Sequence, residues 1–125
     1  MSQITTTWEI NGISLEFDLQ DVEQTRRYES AFDRMGEDEK AIPKDGSLSD
    51  VLEAKCRMFR NLFDRIFGEG TSARLFGERN HQGEMMAAYE SFLQFISEQS
   101  RQILEADNQL VQRFSPNRAQ RRSAK

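Results

Sequence analysis

The chain has 125 residues, 37% of them hydrophobic and 30% charged. This balance fits one water-exposed domain and leaves no run near the roughly 20 apolar residues that span a bilayer. Charge is unevenly divided: 21 Asp and Glu oppose 17 Lys and Arg, and four of those cations fall in the last eleven residues, so residues 1–114 carry a net −8. Cys56 is the single cysteine, which excludes an internal disulfide; with no charged-then-apolar leader, a reducing, cytoplasmic setting is expected.

In chain order, residues 4–17 predict a β-hairpin. Thr5–Ile10 and Ile13–Phe17 alternate with period two around Asn11-Gly12, the pair that a type I′ turn needs because both central residues take positive φ. A two-residue loop sets Ile10 opposite Ile13, Trp8 opposite Leu15 and Thr6 opposite Phe17, all on one face. A lone hairpin is marginal in water, so that face requires helices to cover it.

Asp18 to Asp21 supply acidic N-cap candidates for a helix of about 20–36, with Val22, Thr25, Tyr28, Phe32 and Met35 along one side. The stretch Gly36–Asp45 is charged and, running into Ile42-Pro43-Lys44-Asp45-Gly46, predicts a loop into which the helix frays. Ser47 or Ser49 then caps a helix over 48–67. Its broad stripe is Leu48, Val51, Leu52, Met58, Phe59, Leu62, Phe63, Ile66 and Phe67, and Gly68 stops it. Residues 70–77 read as one capped helical turn that inserts Leu75 and Phe76 into the core.

A third long helix is expected over 82–114, with Met85, Met86, Tyr89, Phe92, Leu93, Ile96, Ile103, Leu104, Leu110, Val111 and Phe114 at helical spacing. It would be roughly 48 Å long, more than a small domain's diameter. Its more polar half, from Gln99 on, is expected to project or to pack on a second subunit, and Ser115-Pro116 ends it. The fold class is therefore α+β, mainly α: a single domain over 1–114, with an N-terminal hairpin packed on three helices, followed by a basic disordered tail, residues 115–125.

Chemistry-bearing residues are few. Gly68-Glu69-Gly70-Thr71-Ser72 lacks the preceding strand and the Lys of a phosphate-binding loop, and reads as a helix stop followed by a capped turn. His81 has no Cys or His at ligand spacing and sits where the last helix begins. Cys56 lies beside Lys55 and Arg57, cations that lower a thiol pKa, yet a lone helical cysteine is ordinarily structural. The carboxylates Glu37, Asp38, Glu39, Asp50, Glu53 and Asp64 read as solvated faces. No catalytic, metal or cofactor site is expected. The nine Phe and five Met either build a dense core or serve an adaptable binding face. On that ground Met85, Met86, Tyr89 and Phe92 are the candidate partner-binding residues, together with the arm Arg118, Arg121, Arg122 and Lys125. Four cations with no aromatic neighbour on an acidic body argue against nucleic acid as partner.

Three segments carry a resemblance: Trp8-Glu9-Ile10-Asn11-Gly12-Ile13-Ser14-Leu15-Glu16-Phe17-Asp18, Phe67-Gly68-Glu69-Gly70-Thr71-Ser72-Ala73-Arg74-Leu75-Phe76-Gly77, and Ser115-Pro116-Asn117-Arg118-Ala119-Gln120-Arg121-Arg122. Together they are similar to small proteins encoded among the tail genes of tailed phages and prophages, and the chain resembles a tail assembly chaperone. The resemblance implies binding of the tape measure protein and delivery of tail tube subunits in the host cytoplasm, with no retention in the virion. It implies no catalytic residues, and for some members a longer frameshifted product. A homo-oligomer remains open. The alternatives are a structural head–tail connector or tail-completion subunit, and a small nucleic-acid-binding regulator.

Overall fold

A computed structural model describes residues 4–114, with side chains through Asn108; the basic tail, residues 115–125, lies outside the described residues. The order is β1 (Thr7–Ile10), β2 (Ile13–Glu16), α1 (Val22–Lys40), α2 (Leu48–Phe67), α3 (Thr71–Phe76) and α4 (Gln82–Phe114). This is the expected mainly helical α+β fold.

The hairpin has the register set by its turn. Trp8 pairs with Leu15 and Ile10 with Ile13, and the Phe17 N–H donates to the Thr6 carbonyl at 2.8 Å. Asn11 (φ 51°) and Gly12 (φ 73°) supply the two positive φ values that the turn requires. The tip is also anchored, since the Asn11 side-chain amide donates to the Leu75 carbonyl of α3 at 3.1 Å.

Trp8 carries the sheet into the helical layer. Its indole lies nearly parallel to Phe63 at 5.7 Å and to Phe67 at 5.9 Å, and tilts against Phe92 at 5.1 Å. Its ring N–H is satisfied by the Ser91 hydroxyl. Phe92 is the hub of the core, meeting Trp8, Phe17, Tyr28, Phe63, Phe67 and Phe95. All eight phenylalanines whose side chains are described are buried or packed against this core. The aromatic surplus therefore builds the interior, at about 2–3 kcal/mol per buried ring.

The ring pairs also give helix direction. Phe59 meets Tyr89 and Phe63 meets Phe92, so α2 and α4 run the same way. Phe32 meets Tyr89 and Tyr28 meets Phe92, so α1 runs opposite to both.

Asp21 caps α1 by accepting from the Gln24 N–H, and Ser47 caps α2 by accepting from the Asp50 N–H. Several expectations are corrected. The first helix continues through Gly36 to Lys40, because strong helix formers follow the glycine and Asp38 is bound from α2 by Arg65 at 3.0 Å and by Asn61. Val22, Leu48 and Leu52 do not join the core and are exposed. Asp64 is no solvated carboxylate: it accepts from the Ser72 N–H at 2.7 Å and the Ser72 hydroxyl at 3.0 Å, capping α3 from a neighbouring helix.

The largest correction concerns α4. Gln99 begins the half expected to project, yet it is fully buried. Its amide donates to the carbonyls of Thr5 and Phe17 and accepts from the Leu19 N–H. One turn on, Gln102 accepts from the Thr5 N–H at 2.7 Å. The open end of the hairpin is thus tied to the middle of α4. The predicted apolar positions Leu110, Val111 and Phe114 lie beyond the described side chains.

Candidate interaction surface

Two of the residues expected to meet a partner are interior. Met85 and Phe92 are fully buried, because the face of α4 that carries them is the one turned to α2 and the hairpin. They offer no surface. Met86 and Tyr89 are half-buried at the edge of the same core. Burial pushes the Tyr89 hydroxyl above its ordinary pKa, and Glu39 adds to the effect; for Tyr28, burial and then Tyr89 do the same. The remaining candidates, Arg118, Arg121, Arg122 and Lys125, lie outside the described residues.

The apolar surface lies elsewhere. Val22, Leu48, Leu52 and Leu104 are 63, 74, 38 and 64% exposed. Leu48 and Leu52 are one turn apart on α2, with half-buried Val51 beside them. Continued along the helix, their row leads to Cys56, Phe59 and Phe63, all buried. The inward seam of α2 therefore begins two turns before the core does. On α4 the seam Phe92, Ile96, Gln99 leads outward to half-buried Ile103, beside exposed Leu104. Apolar seams thus leave the core on two helices, in opposite directions along the parallel pair.

A cleft of about 410 Å³ between α2 and α3 is lined by Glu53, Arg57, Arg60, Gly77, Glu78 and Asn80, among others. Its cations are committed. Arg60 donates to the carbonyls of Ser72, Gly77 and Arg79 and to the Asn80 side chain, and lies over the Phe76 ring at 5.9 Å. Arg57 pairs with Glu53. The cleft is the seam of a latch that holds residues 72–80 to α2.

The other sequence-singled residues take structural places. The His81 ring nitrogen Nδ1 accepts from the Glu84 N–H and so caps α4. Cys56 is buried, and burial raises its thiol pKa more than nearby Arg60 lowers it, opposite to an activated thiolate. Residues 68–72 form the helix stop and capped turn, with the Thr71 hydroxyl donating to the Gly68 carbonyl at 2.7 Å. Among the described residues no group of three His, Cys, Asp or Glu could hold a metal, and no helix is long and apolar enough to cross a membrane.

Sequence reasoning missed Gln99, Arg60 and Asp64. Gln99 had a signal: it falls on the buried row of α4, where an amide implies partners. The partners of Arg60 are mainly backbone carbonyls, for which side-chain patterns give no cue.

A family model described as a family of unknown function (DUF6673) matches residues 11–125. No curated protein and no solved structure matches the chain.

Proposed function

The chain belongs to the DUF6673 family, whose function is unknown; on the resemblance of its sequence we propose that it is a non-catalytic binding protein, a phage or prophage tail assembly chaperone. In this reading it binds the tape measure protein in the host cytoplasm, brings tail tube subunits to it, and leaves before the virion matures.

The supporting observation is the exposed start of the α2 seam, Leu48 and Leu52, with Val51 half-buried beside them. An amphipathic helix laid along it would extend the apolar row that α2 already buries. Exposed Asp45, Asp50 and Glu53 flank the seam, and their charge favours solubility of such a complex. The three segments that resemble tail-gene products add support from the sequence.

The test is co-expression with the longest helical protein encoded beside this gene. The proposal expects that protein to move from the insoluble to the soluble fraction and to co-purify with this chain. If it stays insoluble with the chain present in excess, the proposal fails.

A further inference from the structure

We propose that the groove between α1 and α2 is a docking site for an acidic segment of a partner protein. Four guanidinium groups line it: Arg26, Arg27 and Arg34 from α1 and Arg65 from α2. Ser30 and buried Ala31 share the lining, and the groove has a volume of about 300 Å³.

The sequence places these cations in rows. Positions 26, 27, 30, 31 and 34 recur on successive turns of one face of α1, so Arg26 and Arg34 are separated by about 12 Å along the axis. Arg65 is half-buried and its guanidinium is held by Asp38 at 3.0 Å, which fixes the direction of its remaining donors. Among the described residues, Arg26, Arg27 and Arg34 join no ion pair. Glu23 is the one carboxylate lining the groove. The charge there is positive even with Asp38 counted, in a chain whose net charge is −4.

Charge complementarity selects the occupant. A nucleic-acid duplex carries a phosphate charge about every 1.7 Å of its axis, and each strand one about every 3.4 Å. It would overrun the groove and meet Glu37, which continues the arginine face past Arg34, and Glu29 and Asp33 beside that face. A second copy packed antiparallel through α1 about Ser30 would set Arg26 against Arg34, and packed parallel it would set each arginine against itself. A foreign helix with carboxylates three or four residues apart matches the arginine rows and fits within the groove's length. The site is polar and separate from the Leu48–Leu52 seam, and it does not depend on the chaperone reading.

The experiment is a fluorescence-anisotropy titration of the full chain into a labelled Ala-rich helical peptide with Glu at every fourth position. The controls are its Gln counterpart and a single-stranded oligonucleotide of equal charge. Binding of the Glu peptide alone is expected, weakening at least about tenfold between ~50 and ~300 mM salt. Arg26→Glu/Arg34→Glu should weaken it by at least about tenfold more, and Arg26→Lys/Arg34→Lys less, since charge remains while the fork is lost. Circular dichroism checks that each variant folds, and Arg26→Gln/Arg34→Gln replaces the Glu pair if that pair does not. No binding of the Glu peptide, equal binding by a folded double variant, or preference for the oligonucleotide would each overturn the proposal. Any of those results would leave the apolar-seam reading untouched.

Discussion

Gln99 shows what a single side chain does in this fold. It is fully buried and satisfies one N–H and two carbonyls of the N-terminal segment. Leucine there keeps the volume but strands those three groups. Each stranded buried group costs about 1–3 kcal/mol, so Gln99→Leu should lose about 3 kcal/mol in a urea titration, allowing for partial rewetting. A loss under about 1 kcal/mol would mean that water replaces the amide. Gln99 falls on the buried row of α4, but the polar half of the helix around it masks that signal. Its partners Thr5, Phe17 and Leu19 are 80–94 residues away. Cys56 is buried in the core. Because burial raises its thiol pKa, the thiolate fraction at neutral pH is below that of a free cysteine. A disulfide reagent at pH 8 should therefore label native protein far more slowly than protein in denaturant. Equal rates would contradict the burial.

At the scale of elements, local rules carried most of the reading. The Asn11-Gly12 turn, the Ser47 cap and the stop at Gly68 are short-range signals, and they fall where expected. Ends governed by packing were less legible. The extension of α1 to Lys40 is braced by Arg65 across a sequence separation of 27, and the exposure of Leu48 depends on how far α2 outruns its neighbours. The candidate site was the least legible part, because periodicity shows that a face is apolar and not whether another helix already covers it. Met85 and Phe92 illustrate this. Phe92→Ala should cost about 3–5 kcal/mol by removing the hub of the aromatic cluster. Leu48→Glu/Leu52→Glu should change stability by no more than about 0.5 kcal/mol per site, since both residues are exposed. Differential scanning calorimetry on the two variants separates the core from the free seam. The outer half of α4 also has a pH signature. Arg101, hydrogen-bonded to Glu98, holds that carboxyl below its ordinary pKa of 4.5, and Arg101 also pairs with Glu105. A depressed carboxylate stabilises above its unfolded pKa, and the contribution is lost as pH falls through the lowered value. Wild type should therefore exceed Glu98→Gln slightly in helical signal at neutral pH, with the difference closing below about pH 4.5. A difference that does not narrow as the pH falls from 4.5 toward about 2 would show that the pair has no such role. The effect is small because the site is exposed.

For the whole molecule, the arrangement is a dense aromatic core with apolar seams leaving it on two helices and a charged exterior around them. The acidic balance of residues 1–114 and the basic balance of 115–125 were plain from the sequence. The arginine groove was not, because Arg65 joins Arg26, Arg27 and Arg34 only when α1 and α2 pack antiparallel. The central claim is that the chain solubilises a long helical partner through the exposed start of α2. Its most direct test is co-expression of the neighbouring long helical protein with wild-type chain and with Leu48→Glu/Leu52→Glu, followed by measurement of that protein's soluble fraction. The claim predicts a soluble partner with wild type and an insoluble one with the folded double variant. A partner equally soluble with both chains, or insoluble with both, would contradict it.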